Sequence, residues 1–123
     1  MRTFATLLSL LALAALPGVA AAQKLEPGKW TGVVNDPDGD RHEVEFDVTV
    51  KGDTIGIQVI APGRGSFPFN DVKLVDKTLS FWFEPGVRVE CKLNRRDDGA
   101  FEGSCSDSNG GNATMLMVPP KKE

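Results

Sequence analysis

From residue 29 onward apolar and polar residues alternate with a period of two, and no stretch carries the longer period of a helix. A first strand is predicted at 29–35, with Trp30, Gly32 and Val34 on the inner side. A second is predicted at 42–51, with Val44, Phe46, Val48 and Val50 inward. Lys51-Gly52-Asp53-Thr54 reads as a tight turn with glycine first, leading to a third strand at 54–61. That turn sets Val50 against Ile55, Val48 against Ile57 and Phe46 against Val59. The looser stretch PGRGSFPF follows, read as loop. Strands at 70–75 and 78–84 are joined at Asp76-Lys77, which places Leu74 against Leu79 and Val72 against Phe81. Pro85-Gly86 turns the chain into the hairpin that holds both cysteines, with its second strand at 100–105. The loop SDSNGGN leads to a last strand at 113–118, where either Met115 and Met117 or Leu116 point inward.

The hairpin fixes its own register. Asp97-Asp98-Gly99 reads as a three-residue loop with Gly99 at the positive-φ position of a bulge. Arg96 then faces Ala100, Leu93 faces Gly103 and Cys91 faces Cys105. This register gathers Val87, Val89, Cys91, Leu93, Phe101, Gly103 and Cys105 on one face, and Arg88, Glu90, Lys92, Asn94, Glu102 and Ser104 on the other. A slip of one residue would destroy that sorting. Outward from the loop, the cysteines fall on a narrow, non-hydrogen-bonded pair, where a disulfide fits.

Eight short antiparallel strands in up-and-down order leave two edges exposed unless the sheet closes. Closure gives an eight-stranded barrel, the size at which side chains fill the interior or leave room for one small ligand. Loops of such a barrel alternate between its ends. DPDGD, PGRGSFPF, Pro85-Gly86 and SDSNGGN share one end, and the tight turns share the other with Trp30 and both termini. The expected mouth is therefore the long-loop end. Trp30, Phe46, Phe81, Phe83 and Phe101 compete for the interior, and only Gly32 and Gly103 give space. A mostly filled barrel with a shallow cup is expected.

Gly28-Lys29-Trp30 places G-x-W at the start of the first strand of this barrel. In that respect the chain resembles the lipocalins and, more loosely, the calycins. The resemblance implies a barrel with its tryptophan closing one end and ligand-binding loops at the other. The chain is shorter than a typical lipocalin and lacks its C-terminal helix. It also resembles the small periplasmic inhibitors of bacterial metalloproteases, which would make 23–27 a protease-binding segment.

The residues ahead of the barrel change the picture of where it works. Arg2, the apolar run Leu7 to Leu16, the break at Pro17-Gly18 and the small residues Ala20 to Ala22 form an export leader at 1–22. Cleavage between Ala22 and Gln23 would leave 23–123 as one lipocalin-like domain in the periplasm or outside the cell. An oxidising compartment agrees with a Cys91–Cys105 disulfide. Loss of Arg2 with the leader takes the formal charge from −3 to −4, a balance unsuited to nucleic acid or anionic membranes.

Candidate chemistry is sparse. His42, the single histidine, sits by parity just inside the mouth, with no local Ser–His–Asp or metal-ligand grouping beside it. Asp36, Asp38 and Asp40 alternate like the opening of a calcium loop, but lack its sixth-position glycine and twelfth-position glutamate. Arg64, Phe67 and Phe69 fall in the longest irregular stretch at the open end. With His42 they form the expected ligand rim. Trp82 should point outward, opposite Arg88, as a cation–π pair and a partner-binding anchor. The chain is thus expected to be a monomeric, non-enzymatic binding module without metal or cofactor. It would take a small apolar molecule at its mouth or, alternatively, an exported protein partner.

Overall fold

The computed structural model describes residues 25–121, so the leader at 1–22 and its cleavage site lie outside the described residues. Nine antiparallel strands follow one another: β1 (Gly28–Asn35), β2 (Arg41–Lys51), β3 (Thr54–Ala61), β4 (Gly65–Pro68), β5 (Asn70–Val75), β6 (Thr78–Phe83), β7 (Val89–Arg95), β8 (Phe101–Asp107) and β9 (Asn112–Val118). They form one sheet in the order β4-β3-β2-β1-β9-β8-β7-β6-β5. The pairing of β1 with β9 joins the two ends of the chain.

The strands at the two ends of that order, β4 and β5, are separated in sequence by Phe69 alone. They are two halves of one kinked strand. The first half pairs with β3 and the second with β6. At the kink the Phe69 amide donates to the Ile57 carbonyl of β3, at 2.8 Å. The sheet thus curls into a nearly closed barrel, held at its seam by chain continuity. Eight strands were expected, and the ninth arises because PGRGSFPF is not all loop. Pro68 lacks an amide donor, but β4 has a ladder neighbour on one side only, where proline is tolerated. The kink also shifts the β5–β6 register between Asn70 and Lys73, with Asp71 at φ 52°. Val72 therefore does not pair with Phe81, because a bulge absorbs the bend as the strand changes neighbours.

Other registers follow the alternation. Val50, Val48 and Phe46 face Ile55, Ile57 and Val59. Leu74 faces Leu79. Cys91 faces Cys105 and Leu93 faces Gly103. The disulfide forms on the inner face, both cysteines 3% exposed with Cα atoms 4.0 Å apart. Met115 and Met117 are the buried residues of β9. The β6–β7 register differs by two: Phe81 faces Cys91, and Phe83 faces Val89. The connection spans 84–88 rather than a two-residue turn, and an even shift preserves which side chains point inward.

Three turns share one construction. Asp36, Arg96 and Asp107 each donate their amide to the carbonyl four residues on, and each carbonyl accepts from a glycine three residues on. Those glycines, Gly39, Gly99 and Gly110, lie at φ 90°, 90° and 89°. This was expected at 97–99. The stretches around 36–40 and 106–112 were expected as long loops and are the same tight turn. Aspartate causes this at both: Asp36 Oδ1 accepts from the amides of Asp38 and Asp40, and Asp107 Oδ1 from those of Asn109 and Gly111. The mouth is consequently not distinguished by long loops.

The interior fills in layers. At the base, Trp30 (2% exposed) packs on Phe101 with ring centroids 6.0 Å apart, and Leu25 is buried with them. The Trp30 indole N–H donates to the Glu26 carbonyl at 2.9 Å, which ties the incoming segment across this end. In the middle, Phe69 stacks on Phe81 at 3.9 Å and touches Phe46 and Phe83 at 6.1 and 5.2 Å. Gly32 and Gly103 sit where neighbouring backbone comes closest. A Cβ there would collide with the carbonyl oxygens of Leu116 and Lys92 respectively.

Two outcomes test this packing. Gly103→Ala should lower unfolding free energy by about 1–3 kcal/mol in urea denaturation, as for other overpacked sites; an unchanged midpoint would place the strand further from Lys92. The double substitution Cys91→Ala with Cys105→Ala should cost about 3 kcal/mol in oxidising buffer, the value for a loop of about 15 residues. A denaturation curve identical to wild type would remove the disulfide from the list of supports.

Candidate functional site at the barrel mouth

The connections β1–β2, β3–β4, β6–β7 and β8–β9 surround a cavity of about 720 Å³ at the end opposite Trp30. Its walls are Val34, Val44, Val59, Phe67, Phe83 and Met115. They come from six strands and converge because each is an inward position near the mouth end of its strand. Its polar rim is Asp36, Arg41, His42, Glu43, Arg64 and Asp107. Three of the four predicted rim residues, His42, Arg64 and Phe67, therefore line one cavity. Phe69 does not share the rim. It is 7% exposed and belongs to the aromatic layer beneath, because it lies one inward step below Phe67 on the same face of the strand.

His42 has a partner that its local sequence does not advertise. Its Nε2 lies 2.9 Å from Asp36 Oδ2, with both side chains about two-thirds or more covered. The three-residue turn brings residues 36 and 42 together across the start of the β1–β2 ladder. Asp36 is the sharper signal: an aspartate opening a tight turn, two ladder positions from an inward histidine. The hydrogen bond from His42 holds the Asp36 carboxyl below its ordinary value of 3.8, helped by the amide of Asp40. Asp36 thus spends one oxygen on its own turn and the other on His42. Among the described residues no group of three or more His, Cys, Asp or Glu converges as a metal site, the alternate aspartates 36, 38 and 40 included.

The remaining rim charges divide unequally. Arg41 pairs with Glu43 at 3.8 Å, an exposed contact that contributes little. Asp107 uses Oδ1 to hold its turn. Arg64 is exposed, and its side chain makes no hydrogen bond or ion pair among the described residues. Its backbone amide is fixed to Ala61 at 2.9 Å. The mouth thus combines an apolar wall with an Asp–His pair and an uncommitted guanidinium, the composition of a small-molecule pocket.

On the outer face, Trp82 is half-buried and its ladder partner is Glu90 rather than Arg88. The expected cation–π contact nevertheless forms, with the Arg88 guanidinium 4.0 Å from the ring centroid. The Trp82 indole N–H donates to Asp71 Oδ2 at 2.8 Å, and Arg88 also bonds Glu90 at 3.1 Å. Asp71 reaches Trp82 because the bulge turns it toward β6. These residues border a groove of about 500 Å³ with Lys73, Ser80 and Lys92.

No protein-family model and no curated protein matches this chain. Solved structures do match. The redesigned beta barrel mFAP1, bound to DFHBI, superposes with a TM-score of 0.63 at 16% identity, covering 80% of this chain and 98% of its own. A de novo designed fluorescence-activating beta barrel superposes with a TM-score of 0.60 at 17% identity, covering 80% and 97%. At that identity the likeness establishes the fold: a small, nearly closed antiparallel barrel.

The Asp36–His42 pair carries a pH signature. A depressed folded-state pKa means the pair stabilises the fold above the unfolded-state value and loses that contribution as pH falls through the folded value. In an NMR titration the Asp36 carboxyl should titrate below 3.8, and His42→Ala should raise its midpoint. A midpoint at or above 3.8 in the wild type would break the pairing.

Proposed function

We propose that this protein is an exported, monomeric binding barrel that holds one small apolar molecule in its mouth without transforming it. The observation that carries this reading is the asymmetry of the barrel. One end is sealed by Leu25, Trp30 and Phe101, and the other opens into a cavity with apolar walls and a sparse polar rim. Burial of apolar ligand surface against Val34, Val59, Phe83 and Met115 supplies the driving force. His42 and Arg64 supply polar contacts that orient the ligand. The binding of DFHBI by mFAP1 supports the idea that a barrel of this fold and scale can hold a small molecule. The leader pattern at 1–22 and the Cys91–Cys105 bond support export. The lipocalin-like G-x-W at Gly28–Trp30 fits the sealed end.

The alternative, a protease inhibitor acting through 23–27, asks for a free segment ahead of the barrel. Leu25 is 2% exposed and Glu26 accepts the Trp30 indole bond, so residues 25 and 26 pack on the barrel base, which favours the small-molecule reading.

The test uses the neutral apolar dye N-phenyl-1-naphthylamine. Saturable fluorescence enhancement with one dye per chain is expected, as is at least a tenfold loss in Ala113→Phe, which places a ring in the cavity while the fold persists. Absence of saturable binding by the wild type, or equal binding by the filled variant, would rule out the mouth as the site.

A further inference from the structure

We propose that Phe69 sets the depth of the mouth and restricts its ligand to a compact, ring-sized apolar molecule, to the exclusion of long-chain lipids. This rests on the reading of the mouth as the ligand site. The residues lining the cavity furthest along their strands from the mouth include Val44, Val59, Phe83, Met115 and Cys105. Each is the inward residue of its strand nearest the mouth or next to it. The inward residues one step further down, Phe46, Ile57, Phe81 and Cys91, are 0–4% exposed and do not border the cavity. The cavity therefore spans two inward layers, about 7 Å or two residues of strand rise apart.

What stops it is an aromatic plug that belongs to no regular ladder. Phe69 sits between β4 and β5, the residue at which the chain leaves one neighbour for the other. Its amide bond to Ile57 holds it against β3, where it continues the inward face of Phe67, two residues before it. The ring lies parallel to Phe81 within 5° and also contacts Phe46 on the opposite side of the seam. The plug spans the interior from β6 to β2. Beneath it Leu79, Leu93 and Met117 are fully buried.

An alkyl chain entering from the mouth would meet this plug after about six carbons, the length that about 7 Å accommodates. Further methylenes would stay in water and contribute nothing. A fused or substituted ring system fills the same volume laterally and loses nothing to depth. The chain-length dependence of binding is therefore a direct readout of where the floor lies, since each buried methylene should strengthen binding about fourfold, the equivalent of ~0.8 kcal/mol.

The experiment displaces N-phenyl-1-naphthylamine from the wild-type protein with a series of linear alcohols from butanol to dodecanol. The expected result is a rise of about fourfold per methylene that levels off near hexanol. The series is repeated on Phe69→Leu and, on the neighbouring ring of the stack, Phe81→Leu, each checked for a native circular dichroism spectrum. Both should extend the rise by one or more carbons. A rise that continues unbroken to dodecanol in the wild type overturns the proposal, whatever the variants do. So does a plateau at the same carbon number in a folded variant. Failure of the dye itself to bind would sink the mouth as a site altogether, a result distinct from either.

Discussion

The structure depends on one constraint, the closure of a curled sheet by a strand that changes partners. Between Pro68 and Asn70 the chain leaves β3 and joins β6. Without that switch the sheet would present two free edges, each a template for association. Closure is sterically demanding, and the chain meets the demand at a few positions. A bulge at Asp71 absorbs the change of direction, and Gly32 and Gly103 admit neighbouring backbone where a methyl group would collide. The Phe69 ring then fixes the switch from inside, stacked on β6 and touching β2.

The same constraint makes the barrel polar along its axis. The base is filled by Trp30, Phe101 and Leu25, with Glu26 tied to the Trp30 indole. The middle is filled by the aromatic stack. Toward the mouth, where Val34, Val44, Val59, Ala61 and Ala113 share the lining with Phe67 and Phe83, apolar volume is left unclaimed by side chains. The cup is thus a consequence of residue size layered along the strands rather than of long surrounding loops. The disulfide, inside the upper wall, holds β7 to β8 beside that cup.

Electrostatics at the rim follow from turn chemistry. Asp36 and Asp107 both open tight turns, and both direct a carboxylate oxygen to their own backbone amides. Asp36 gives its second oxygen to His42. Local folding thereby commits most of the acidic capacity of the mouth, and Arg64 is left with its donors unspent. On the outer wall, Trp82 is engaged from two sides by Asp71 and Arg88, so its exposure is lower than its outward parity alone would suggest.

Alternation and turn residues are local properties, and they were enough to determine the all-β class, the inward set, the Cys91–Cys105 pairing, the Gly99 turn and most registers. They also placed His42, Arg64 and Phe67 at one end, because up-and-down order alternates the connections. What they could not determine was anything settled by bringing distant segments together. Phe69 reads as a loop aromatic beside prolines and glycine, and its inward place follows only once β4 is paired with β3 and continues the face of Phe67. The Val72–Phe81 and Trp82–Arg88 pairings failed because a bulge and a longer turn change register without altering parity. Met115 and Met117 became inward residues only when β9 was set between β1 and β8. The Asp36–His42 contact likewise needs the turn and the ladder together. Periodicity sorts faces, whereas register across a seam is decided by the curvature of the whole sheet, which no single strand encodes.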